Sequence, residues 1–170
     1  MHDTITVREN GKDLVFSFDD INVFHGGGFP GGVAHGLKAM QAAFALLSET
    51  PPERREISIL TAFSGPGARD AIEMVTRALT DGRLTIDRSI GGKDVISDPR
   101  GPYVFRFTYR DRTAEAVIKP GHVREEFVTL GANPSRTPQE DARLEELKAE
   151  MAARLRPLPA TEIYAVRLLS

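Results

Sequence analysis

The amino-acid sequence predicts an α+β fold, a mixed β-sheet packed by two to three helices, and three observations carry that expectation. Tyr103–Tyr109 alternates, with Tyr103, Phe105, Phe107 and Tyr109 on one face, and Thr113–Lys119 follows across Arg110-Asp111-Arg112 as the second arm of a β-hairpin. Val33, Leu37, Met40, Phe44 and Leu47 recur at spacings of four and three, which places one apolar stripe along a helix. Between helix and hairpin, Glu56–Phe63 reads as a buried strand through Ile57, Ile59 and Leu60.

The remaining elements follow in order. Asp13–Phe18 alternates and reads as a strand or extended entry, and Asp19–Phe24 reads as a short helical turn running into His25. The stretch from Gly26 to Gly32 holds five glycines in seven residues, a composition suited to a tight turn or to close approach by another group. The helix after it carries Ala34, His35, Lys38, Ala42 and Ala45 on the face opposite the apolar stripe, and Pro51-Pro52 stop it. Ser64-Gly65-Pro66-Gly67 turns into a second amphipathic helix, Ala68–Leu79, with Ala68, Ala71, Ile72, Val75 and Leu79 on its inner side and Asp81-Gly82 as its end. Leu84–Asp87 is a short strand, Ser89–Pro102 a long loop, and Val123–Leu130 fits strand and helix equally well. Thr137, Pro138 and Glu140 form a capping-box start for a helix to about Leu155, and Ile163–Leu169 closes the chain as a strand. The expectation is one domain over 1–170, with a core at about 13–130 and the C-terminal helix and strand over 137–169.

Composition narrows the function classes. At 170 residues, 41% apolar and 27% charged, the chain has the length and content of one globular domain. A net charge of −2 without a basic run argues against nucleic acid or an anionic membrane as partner. Neither a membrane span nor a secretory leader is visible, so a soluble, cytoplasmic protein is expected. The absence of cysteine removes disulfides, thiolate catalysis and thiolate metal sites.

The candidate chemistry centres on the glycine-rich turn. A helix start preceded by glycines offers free N–H groups and partial positive charge, which suits an anion. The spacing is neither that of a P-loop nor that of a dinucleotide fingerprint, and glycines that merely let helices pack closely explain the same residues. His25 and His35 bracket the turn as candidate metal ligands or acid–base groups, although His35 also fits a solvated helix face. His122 has no obvious partner and His2 is terminal. Arg69 and Asp70 fall in the first turn of the second helix, where the dipole alone accounts for the acid, while the arginine could clamp an anion. Lys93 follows Gly91-Gly92 in a loop, where solvation is the simpler reading.

Taken together, these motifs resemble the FmdE-like family, whose name comes from a component of formylmethanofuran dehydrogenase. That family carries a His-Gly-His-x-Cys-Pro-Gly turn entering a helix, and the similar stretch here is His25-Gly26-Gly27-Gly28-Phe29-Pro30-Gly31, followed by Gly36. A Cys-x-x-Asp-Ala-Ile segment is matched by Gly67-Ala68-Arg69-Asp70-Ala71-Ile72, a Gly-Lys segment by Gly92-Lys93, and the closing strand by Thr161–Val166. The resemblance spans most of 15–168 and implies two helices on a mixed sheet, a cleft at the turn, and a homodimer. The departures are specific: Gly27, Phe29 and Gly67 stand where the family has its second histidine and its cysteines, so a family-type zinc site looks degraded.

The leading expectation is therefore a small-ligand-binding protein or accessory subunit, its pocket formed by Gly26, Gly27, Gly28, Phe29, His35, Arg69 and Lys93 and suited to an anionic organic ligand. The alternatives are an enzyme with His25 as general base oriented by Asp70, a metal protein using His25 and His35, and a structural subunit without a site.

Overall fold

The structure, a computed structural model, describes residues 3–170; Met1 and His2, one of the four histidines, lie outside the described residues. The fold is α+β. Its centre is a five-stranded sheet in the order β4 (Leu84–Ile86), β3 (Ile57–Thr61), β7 (Val104–Tyr109), β8 (Arg112–Ile118), β9 (Tyr164–Leu168). The β3–β4 pair is parallel and the other pairs are antiparallel, so the sheet is mixed. The hairpin β7–β8 keeps the expected alternation: Tyr103, Phe105, Phe107 and Tyr109 are all buried, and Ala114, Ala116 and Ile118 of β8 share the core with them. Arg110 makes the tight turn at φ 56°.

Helix α2 (Pro30–Leu47) packs along this inner face and carries the core on nearly every side. The expected polar face does not exist. Ala34, His35, Lys38 and Ala42 are buried and only Ala45 is exposed. The sheet covers one flank of α2, helix α3 (Pro66–Thr76) a second, and helix α5 (Pro138–Leu155) a third. Lys38 is tolerated inside because its Nζ donates to the carbonyls of Arg156 and Leu158, at 3.0 and 2.6 Å, where α5 ends. Burial lowers its pKa to about 8.

Close approach of α2 to its neighbours rests on glycine. A Cβ on Gly36 would stand 2.9 Å from Ala68 Cα, one on Gly67 2.5 Å from the Phe29 carbonyl oxygen, and one on Gly31 2.6 Å from Met151 Sδ. Three helices, α2, α3 and α5, can therefore press together around the start of α2.

Several local details depart from the sequence reading. An N-terminal hairpin, β1 (Thr4–Glu9) with β2 (Lys12–Ser17), turns at Asn10-Gly11 with φ of 52° and 75°, and its Ile5 and Val7 join the core. Asp19–Phe24 lies within a full helix, α1 (Phe18–His25), started by a capping box of Ser17 and Asp20. Helix α3 begins two residues earlier than expected and ends at Thr76. Arg77 takes a left-handed conformation there, and the Glu73 carboxylate holds Arg77, the Thr80 amide and the Thr80 hydroxyl. Leu79 consequently leaves the inner face and is exposed. The long loop folds a two-residue ladder, β5 (Ser97–Asp98) with β6 (Gly101–Pro102), and Val123–Leu130 resolves into helix α4 (Glu125–Ala132). The Thr137 capping box starts α5 as expected, and a single turn, α6 (Ala160–Ile163), precedes β9. Among the described residues no helix is long and apolar enough to cross a membrane.

Candidate functional site

The glycine-rich stretch divides into two parts with different duties. Gly26 and Gly27, at φ 91° and 79°, close α1: the Gly26 amide donates to the Asn22 and Val23 carbonyls, and the Gly27 amide also donates to Asn22. Left-handed backbone at both positions is what glycine supplies. Gly28 is exposed with open space around it. Pro30, Gly31 and Gly32 belong instead to the first turn of α2, where Pro30 needs no N–H partner.

His25 and Asp70, 45 residues apart, meet. Their Nδ1 and Oδ2 lie 2.7 Å apart, and His25 Nε2 accepts the Phe29 amide at 3.0 Å. A backbone N–H can only donate, so Nε2 holds a lone pair and Nδ1 carries the proton given to Asp70. Both ring nitrogens are thereby occupied, and the imidazole ties α1, α3 and the start of α2 together. The arrangement differs from the expected general base: no nitrogen faces open space, and abstraction of a proton would require release of the Phe29 amide. Asp70 also lies beyond the first turn of α3, so His25, rather than the helix dipole, accounts for it.

Of the other expected site residues, Arg69 only skirts this pair, and Lys93 and His35 are not among its partners. Arg69 is half exposed and its closest acid is Asp70 at 3.8 Å, while Lys93 is exposed in the loop. His35 is fully buried, with Nδ1 2.9 Å from the Tyr164 hydroxyl and its ring 4.8 Å from that of Tyr103. Burial, reinforced by the nearby charges of His122 and Arg154, lowers its pKa to about 3, so it is neutral throughout the physiological range. Its Nε2 makes no hydrogen bond among the described residues.

A cavity of about 200 Å³ opens next to the turn, not in it. Phe29 contributes from just before α2 and Gly32 from its first turn, Gly65–Gly67 from the start of α3, Asp98–Arg100 and Tyr103 from the loop before β7, and Phe127, Arg136 and Lys148 from α4, α5 and their connection. Gly65, the N-cap of α3, has no side-chain oxygen to offer, and Phe29, the N-cap of α2, makes no side-chain cap. Two helix starts thus bring partial positive charge to one hollow. Aromatic rings form much of its lining. Phe63 and Tyr103 stack at 4.2 Å, and Lys148 Nζ sits 4.2 Å from the Phe29 ring centroid.

Three cations and one carboxylate are the charged residues of this lining. Arg136 is held by Asp141 at 2.7 Å and by the Leu130 and Asn133 carbonyls, and Lys148 by Glu145 at 2.8 Å. The exposed Arg100 guanidinium has no hydrogen bond or ion pair among the described residues. Asp98 accepts from the Tyr103 hydroxyl at 2.5 Å and from the Arg100 amide at 2.6 Å. Burial moves the carboxyl of Asp98 above the usual range, and burial beside Asp98 moves Tyr103 well above a normal phenol.

Apart from Phe29, which the sequence reading placed in its pocket, these lining residues escaped it because they come from four separated segments. The available signals were Ser64-Gly65-Pro66-Gly67 ahead of a helix and the inward register of Tyr103. Metal chemistry finds no support in the donor set: His25 and His35 have different partners, and no group of three or more histidine and carboxylate side chains among the described residues could hold a metal ion. No protein-family model matches the chain, and no curated protein matches it.

Proposed function

We propose that the chain is a small-molecule-binding protein or accessory subunit that takes an anionic organic ligand in the cavity between the starts of α2 and α3, the Asp98–Tyr103 segment and the α4–α5 pair. The observation that carries this reading is the convergence of two side-chain-free helix starts with Arg100, Arg136 and Lys148 on an aromatic-lined hollow. The aromatic walls favour an organic body, and the Arg100 guanidinium, without a hydrogen bond or ion pair among the described residues, favours a negative group on it.

The reading keeps the resemblance to FmdE-like proteins as part of the proposal, with a cytoplasmic location and a homodimeric state. The meeting of His25 with Asp70 supports it, since the two positions come from separate motifs of that resemblance. Exposed Val23 and Phe24 on α1 are apolar surface that self-association would cover. In this account His25 braces the turn beside the cavity and performs no proton transfer.

Thermal unfolding of the purified chain against a panel of small carboxylates and phosphates, each paired with a neutral analogue, tests the reading. Anionic members should raise Tm through preferential binding to the folded state, and Arg100→Ala should remove that rise. A panel in which neutral analogues stabilise as well as their anions, or in which Arg100→Ala changes nothing, contradicts it.

A further inference from the structure

Resting on that reading, we infer that the ligand is a single-ring aromatic carboxylate, its ring held by Phe29, Phe63, Tyr103 and Phe127 and its carboxylate by Arg100. Each ring reaches the cavity from a different segment: the turn before α2, the end of β3, the loop before β7, and α4. Rings converging from separate elements grip a flat apolar body through offset or edge contacts, which a flexible aliphatic chain cannot reproduce. Met151 adds a thioether to the same lining, a group that packs well on aromatic edges.

The charge distribution singles out Arg100. Arg136 and Lys148 already have carboxylate partners in Asp141 and Glu145, and the Asp98 carboxylate is taken by the Tyr103 hydroxyl and the Arg100 amide. Arg100 is the lining cation whose guanidinium is left for a ligand, and its planar fork matches a carboxylate with two parallel bonds. The first-turn amides of α3 at Gly67 supplement it with partial charge.

Size sets the third limit. At about 200 Å³ the cavity falls below the ~300–1,000 Å³ of pockets for drug-sized ligands. One ring with a carboxylate fits that scale, and a nucleotide or a fused-ring cofactor exceeds it.

Titration calorimetry on the full chain with benzoate, cyclohexanecarboxylate and benzamide tests the inference. Benzoate should bind, with cyclohexanecarboxylate weaker by about two- to tenfold because it lacks the aromatic term. Benzamide should be weaker by about ten- to a hundredfold because it lacks the charge, and Arg100→Ala should bring benzoate down to the benzamide level. Arg100 is exposed, so the variant should fold, as unchanged circular dichroism and Tm without ligand would verify. Equal binding of benzoate and cyclohexanecarboxylate overturns the aromatic assignment while leaving an anion pocket. Benzamide binding as well as benzoate overturns the anionic reading itself, and no binding of any of the three at millimolar concentration overturns both.

Discussion

The turn His25–Gly28 and the cavity that begins one residue later, at Phe29, are adjacent in sequence and opposite in character. In the turn every feature is already used: Gly26 and Gly27 take left-handed backbone to end α1, and both nitrogens of His25 are bonded. In the cavity the features are left open, with helix starts lacking side-chain caps and an arginine whose guanidinium has no hydrogen bond or ion pair among the described residues. A glycine cluster before a helix therefore has to be read residue by residue. Some of its glycines set backbone angles, some admit a neighbouring helix, and Gly32 alone among them lines the hollow.

Substitutions along this boundary should separate the two roles. The largest effect is expected at Gly67→Ala, where the new Cβ meets Phe29 carbonyl oxygen and Val33 nitrogen at 2.5 and 2.7 Å; a loss of about 2–3 kcal/mol should appear in chemical denaturation. His25→Ala removes the partner of Asp70 and the acceptor of the Phe29 amide, so a loss of about 1–3 kcal/mol is expected while ligand affinity, measured where the variant is folded, stays close to the parent. An affinity collapse in that variant without loss of stability would return the site to the turn.

His35 sharpens the contrast through pH. Its folded pKa, about 3, lies below the ordinary value of 6.5, so the unfolded chain binds the proton first. The stability attached to neutral His35 is complete above about pH 6.5 and is lost as pH falls toward about 3, at up to about 1.4 kcal/mol per unit. Denaturation curves between about pH 6.5 and about pH 5, above the carboxylate range, should show this slope in the parent and a shallower one in His35→Gln. Smaller still, Thr137→Ala should cost about 1 kcal/mol by uncapping α5, read in chemical denaturation. Gly28→Ala should fall within about 0.5 kcal/mol of the parent, its Cβ meeting nothing.

How much of this was legible in the sequence follows from how local each signal is. The Thr137-Pro138-Glu140 start and the alternation of Tyr103–Tyr109 involve neighbours a few residues apart, and both hold in the structure. Asn10-Gly11 was equally local, and it marks a hairpin that the sequence reading passed over. The burial of His35 and Lys38 depends on α5 and β9 arriving more than a hundred residues later, which helical spacing within α2 does not encode. The cavity is less legible still: Arg100 and Phe127 acquire meaning only when the loop before β7 and helix α4 close over the starts of α2 and α3. The His25–Asp70 contact was reachable through the family resemblance rather than through spacing.

The most direct test of the central claim is a two-dimensional amide NMR titration of the chain with benzoate. The account predicts shift changes that grow together at the cavity-lining residues Gly32, Gly67, Arg100 and, on α4, Gly131, with Gly26, Gly27 and Gly28 unmoved. Changes centred on Gly26–Gly28 with the Gly67 and Arg100 amides silent would contradict it.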